Sequence, residues 1–188
     1  MRKLALTLLV ATSLLGGCGD LPDATVGEEI SQTSSPLTDA PFRLRNYQTG
    51  LCMGVRAGNP AQGTGFATWA CDGTPNQTFH KGAAYPSDPS SFLLVDHITA
   101  DFRCAHGQPY NGVIVTSYSC LQDPHQYWRP VYSGNDFAGH ECYRFQTQQD
   151  PTKVFGVKAG NTAQGTDIMT WTDFNDRFAH PDQFWCIY

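Results

Sequence analysis

The chain is poor in charge. Of its 188 residues, 12 are Lys or Arg and 17 are Asp or Glu, so charged residues make up 15% and the formal net charge is −5. A soluble domain usually carries about a quarter. The deficit argues against a long helical bundle, which is written in Ala, Glu, Lys and Leu. The shortage of base argues against nucleic acid, whose phosphates need clustered Lys and Arg. No interior stretch of about 20 apolar residues occurs, so no helix is expected to span a membrane. Catalytic signatures are also missing. There is no His-Glu-x-x-His, no Gly-x-Ser-x-Gly and no Cys-x-x-Cys. Asp173 and Asp176 could pose as a glycosidase pair. They share one short loop, however, whereas paired carboxylates flank a sugar from different elements. The expectation is therefore no enzyme, no cofactor and no metal.

The chain does have 40% hydrophobic residues, 18 Gly, 11 Phe, 8 Tyr, 4 Trp and 7 Cys. That is enough apolar material for one packed domain. The odd cysteine count needs an explanation.

The N-terminus reads Met1-Arg2-Lys3, then LALTLLVATSLL, then Gly16-Gly17-Cys18. A basic start, a short apolar core and small residues form a secretory signal over 1–17. The Leu15-Gly16-Gly17-Cys18 ending resembles the lipobox of bacterial lipoproteins, which implies cleavage before Cys18 and lipidation of its thiol. The alternative is an ordinary signal peptide with a chance cysteine. Several acyl chains would anchor stably. Gly19 is not the Asp that retains many such proteins at the inner membrane, so a two-membrane cell favours the outer one. Cleavage removes Arg2 and Lys3, leaving ten basic residues against seventeen acidic, a charge of −7. Residues 18–40 hold five acids, no base, and several Ser, Thr and Pro, the composition of a flexible linker.

The remainder, 41–188, repeats internally. Gly54–Thr64 (GVRAGNPAQGT) matches Gly156–Thr166 (GVKAGNTAQGT) at nine of eleven positions. A Gln-x-aromatic triplet recurs as Gln77-Thr78-Phe79, Gln126-Tyr127-Trp128 and Gln183-Phe184-Trp185. The repeats are therefore about 42–80, 91–130 and 143–188. Each opens on a short apolar run, and turn signals follow about every ten residues. Three all-β units that cannot each bury a face must share one core.

These triplets, in register with two cysteine pairs, resemble the ricin B-chain type of β-trefoil lectin. The resemblance covers the whole repeat region. It implies an all-β trefoil of three pseudo-symmetric four-strand repeats, with Phe79, Trp128 and Trp185 in the core. It also implies disulfides Cys52–Cys71 and Cys104–Cys120, since the family commonly bridges these positions. Val154 and Asp173 stand at the matching positions of the third repeat, so that bridge is absent there. Cys142 and Cys186 flank the third repeat and are expected to pair, because the ends of a trefoil repeat approach each other. One lipidated cysteine and three bridges account for seven.

In the resembled family each repeat can offer one shallow sugar site. An Asp follows the first Cys by two residues, and an aromatic precedes the second Cys by two. An Asn beside the triplet, and sometimes the triplet Gln, completes it. Here the aromatics are Trp69, Tyr118 and Trp171, and the glutamines are Gln77, Gln126 and Gln183. The Asn position holds Asn76, His125 and Asp182. The Asp position holds Gly54, His106 and Gly156 instead, so the expected carboxylate is missing three times. Asp182 could supply one from the opposite lip. The third repeat carries a four-residue extension before Gln183, which could form a new wall. Arg56 and Lys158 could serve acidic sugars, or be solvated turn charges. Trp69 and Trp171 could instead be half-buried covers of a turn, and Asn76 and Asp182 could bond their own backbone.

The expected protein is a monomer, held at a bacterial cell envelope by its lipid alone or extracellular, with carbohydrate as partner. The alternative is a trefoil scaffold for protein–protein contact. Non-reducing peptide mapping of the exported protein should find no free thiol at Cys142 or Cys186; a free thiol at either removes the third bridge.

Overall fold

The computed structural model describes Leu37 and residues 40–188. The expected signal peptide, Cys18 and most of the expected linker lie outside the described residues. Leu37 falls in the stretch whose composition reads as linker, yet it is buried in the main apolar cluster, so packed structure reaches back at least to this leucine.

All regular structure among the described residues is strand or single 3-10 turns. The strands are β1 (Leu44–Asn46), β2 (Cys52–Val55), β3 (Thr64–Trp69), β4 (Phe79–Tyr85), β5 (Asp88–Asp96), β6 (Arg103–His106), β7 (Val113–Ile114), β8 (Thr116–Ser119), β9 (Tyr127–Asn135), β10 (Glu141–Thr147), β11 (Lys153–Val157), β12 (Ile168–Thr172) and β13 (Trp185–Ile187). β7 and β8 are one strand interrupted at Val115, so each repeat contributes four strands.

Six strands close into a barrel. Within each repeat the first strand meets the last, through Phe42↔Phe79, Phe92↔Trp128 and Tyr143↔Trp185. Between repeats, β4 pairs β5, β9 pairs β10, and β13 pairs β1 across the chain ends. The ring has no free edge. The remaining hairpins, β2/β3, β6/β8 and β11/β12, meet one another as a triangular cap. This is the β-trefoil arrangement. The barrel hairpins run to Tyr85 and Asn135, beyond the sequence-marked repeat ends.

Alternation along the strands divides their side chains between two environments. On β5, Phe92 and Leu94 enter the central cluster, while Leu93 and Val95 join a smaller one with Cys104 and Tyr127. The triplet aromatics Phe79, Trp128 and Trp185 are fully buried. The two indole N–H groups donate to the carbonyls of Ala105 (2.9 Å) and Phe155 (3.3 Å), so burial leaves neither unpaired. Phe66, Val115 and Ile168 sit at equivalent places where the cap hairpins meet.

The repeats interlock through one turn position. Gly63, Gly112 and Gly165 have φ of +81°, +79° and +77°, which side chains strain to adopt. Each donates its N–H to the next hairpin, to the carbonyls of Ser117 (2.8 Å), Thr170 (2.8 Å) and Thr68 (2.6 Å).

Three disulfides are present. Cys52–Cys71 and Cys104–Cys120 each tie a cap hairpin to its own end, and Cys142–Cys186 joins directly paired residues of β10 and β13. The third repeat has a different tie. Asp173, at the position of the second cysteine, forms a buried ion pair with Arg144 and accepts from Gln146 Nε2 at 2.9 Å. Removing one partner of such a pair strands the other charge. Asp173→Ala should lower unfolding free energy by roughly 3–5 kcal/mol in denaturant melts; a loss under about 1 kcal/mol would class the pair with surface bridges.

Candidate functional site

Each cap hairpin ends on an aromatic beside a short loop and a 3-10 turn, and these parts form a groove. In the first repeat Trp69, Ala57, Gly58, Asn76, Gln77 and Gln164 line a groove of about 300 Å³. In the third, Trp171, Phe174, Ala159, His180, Asp182 and Gln183 are among those lining one of about 430 Å³. Both volumes lie in the ~300–1,000 Å³ range of small-molecule sites. Trp69 and Trp171 are half-buried. Each leans toward the turn glycine of a neighbouring repeat, Trp69 toward Gly165 and Trp171 toward Gly112. Their indole N–H groups are buried without an acceptor.

The glutamines Gln77, Gln126 and Gln183 line up behind the grooves as braces. Each is buried and uses both ends of its amide. The NH2 donates to the carbonyls of Ala70 (2.7 Å), Ser119 (2.7 Å) and Thr172 (2.8 Å). The oxygen accepts from the N–H of Asp72, Leu121 and Phe174. Their first role is to hold the turn against the hairpin end.

The missing aspartates have a steric reason in two repeats. A Cβ at Gly54 would lie 3.0 Å from Gln77 Cγ and 3.3 Å from Asn76 Nδ2. A Cβ at Gly156 would lie 3.1 Å from both Asp182 Oδ2 and Gln183 Cγ. The side chain from the opposite lip already fills that space. Asn76 Nδ2 also reaches the Val55 carbonyl at 3.4 Å. Burial pushes the Asp182 carboxyl above its ordinary value.

In the second repeat His106 occupies the position and stacks on His125 with ring centroids 5.3 Å apart; Tyr118 lies 5.7 Å from His106. His125 Nδ1 is bonded to Asp123. Among the described residues no group of three or more His, Cys, Asp or Glu side chains is arranged to hold a metal ion.

The extension before Gln183 is an ordered wall. Asp176 accepts from the N–H of Phe178 (2.9 Å) and Ala179 (3.0 Å), and Phe174 stacks on His180 at 3.9 Å. Arg177 fastens it to the carbonyls of Ser133 (3.2 Å) and Asn135 (3.1 Å). Asp173 and Asp176 are both committed, one to Arg144 and one to its own loop, which argues against a catalytic pair. Arg56 and Lys158 share the single carboxylate of Asp167, Arg56 bonded to it and Lys158 4.0 Å away. The ion pairs and the Phe174–His180 wall escaped sequence reading. The extra four residues were the one signal of the wall.

No family model matches the chain, and no curated protein matches it. Solved structures do. The designed three-fold symmetric protein ThreeFoil aligns with a TM-score of 0.64 at 16% identity, over 78% of this chain and 96% of that one. The earthworm R-type lectin C-half, solved with GalNAc, gives 0.57 at 17%, over 78% and 96%. The Macrolepiota procera ricin B-like lectin, solved with lactose, gives 0.60 at 14%, over 80% and 95%. The likeness is one of fold: that of ricin B-type β-trefoils.

Burial lowers the pKa of His106, with the charge of His125 adding to the effect, and burial beside His97 lowers that of His80. Each binds fewer protons folded than unfolded once pH falls below 6.5, the ordinary value. Their contribution to stability is complete above that pH and is lost as pH falls through the folded values. His106→Gln should flatten the slope of melting temperature against pH just below 6.5; an unchanged slope would remove His106 from this account.

Proposed function

We propose that the domain binds carbohydrate through the Trp69 and Trp171 grooves, with Tyr118 marking a weaker third position. The observation carrying this is the pairing, twice in one molecule, of a half-exposed indole with a polar lip residue, Asn76 or Asp182, over a groove of sugar size. A flat ring supplies apolar area, and a few fixed polar groups set orientation. Two fold neighbours solved with GalNAc and lactose support the ligand class. The triplet glutamines contribute by bracing the grooves and retain limited capacity for a ligand.

The reading is non-enzymatic and monomeric. The Leu15–Cys18 ending supports lipidation at Cys18 and display on a bacterial envelope, the outer membrane where there are two. Many weak sites on one surface gain avidity through effective concentration. The scaffold alternative would draw on exposed side chains such as Phe137 and Phe178, which stand almost wholly in solvent.

A glycan array with the purified protein tests the proposal. Binding should be competed by a simple sugar and fall by about 2 kcal/mol, near thirtyfold, in Trp69→Ala and Trp171→Ala. Both variants should melt well above Trp128→Ala, which empties the core. Absence of retention across neutral, acidic and microbial glycans would leave the scaffold.

A further inference from the structure

The two indole grooves are built alike but differ in charge: the first is edged by Asp72, an exposed carboxylate bonded to Thr74, and the third by the half-buried Asp182 with His180 beside it. Trp69 and Trp171 end equivalent hairpins, Gly54 and Gly156 leave equivalent gaps, and Gln77 and Gln183 brace equivalent turns. Asn76 in the first groove is Asp182 in the third. The Asn76 amide has the Val55 carbonyl as a partner. The Asp182 carboxylate is half-buried, is bonded to its own backbone N–H, and has no Lys or Arg acting on it among the described residues. No Lys or Arg is among the described residues lining its groove, and His180 is the titratable neighbour that acts on it. The two glutamines there are already engaged. Gln48 Nε2 donates to the Gly160 carbonyl at 3.1 Å, and Gln183 is bonded at both ends.

These facts constrain the ligand. An anion would meet the carboxylate with His180 alone to offset the repulsion. A neutral ring would cover a half-buried charge and deepen its desolvation. An ammonium group would supply the missing counter-ion through charge-assisted hydrogen bonds. It would also sit among the rings of Trp171 and Phe174, whose π faces attract cations. A sugar bearing a free amine joins that cation to the apolar ring face an indole prefers.

We propose that the Trp171 groove selects sugars carrying a free ammonium group, with Asp182 as counter-ion, while the Trp69 groove accepts neutral rings. This inference rests on the carbohydrate-binding reading above and names a substrate class for one of its two sites. Asn76 shows that the fold accommodates Asn at this place, so Asp182→Asn is expected to fold.

The experiment titrates the purified protein calorimetrically with glucosamine oligomers and with N-acetylglucosamine oligomers. The two share a ring and differ in charge. At about pH 6 the free amine is protonated. The unmodified protein should bind the free-amine oligomer about tenfold more tightly or better, the worth of one hydrogen bond to a charged group. Asp182→Asn should erase that preference, and Asn76→Asp should create a second site with it. Equal binding of the two oligomers overturns the inference and leaves the carbohydrate reading standing. A preference that survives Asp182→Asn also overturns it. Failure to bind either oligomer or any neutral sugar overturns both.

Discussion

The structure depends on closing a ring of three units, none of which is complete alone. The first strand of each repeat is finished by the last strand of the one before it, and β1 is finished by β13 at the far end of the chain. The cap closes by the same rule: the turn glycine of each repeat donates to the hairpin of the next. Every barrel strand thereby buries its apolar face against the other repeats and leaves no exposed edge. The same closure accounts for Cys142–Cys186. It ties β10 to β13, the strand that completes the ring.

Closure also makes the grooves. Trp69 and Trp171 are held half-open because each leans on a glycine turn supplied by another repeat. The glutamine braces then fix the opposite lip. With frame and lips set by the fold, small sequence differences decide what each groove offers. Glycine at 54 and 156 makes room for Asn76 and Asp182, whereas histidine at 106 fills the second site with its own ring and that of His125. The third repeat changes most. It exchanges a disulfide for the Arg144–Asp173 pair and gains a wall of Phe174 on His180.

Much of the frame is legible in the sequence because repetition makes it so. Three triplets and two cysteine pairs in register carry the resemblance, which implies the strand count, the core aromatics and two bridges. What escapes are contacts between residues that share no motif. Arg144 and Asp173 lie 29 positions apart, and nothing in either neighbourhood names the other. The glutamines have a bracing role that the motif does not name. A polar residue in a recurring motif reads as a ligand contact, while its buried amide is taken up by backbone on both sides. Leu37 is hidden by the polar composition around it.

The four tryptophans allow a direct test of where ligand binds. In an NMR titration with a sugar that the protein retains, the indole N–H resonances of Trp69 and Trp171 should move. Those of Trp128 and Trp185, bonded to core carbonyls, should stay in place. Movement of the core pair alone, or of none of the four at saturation, would contradict binding at the hairpin grooves.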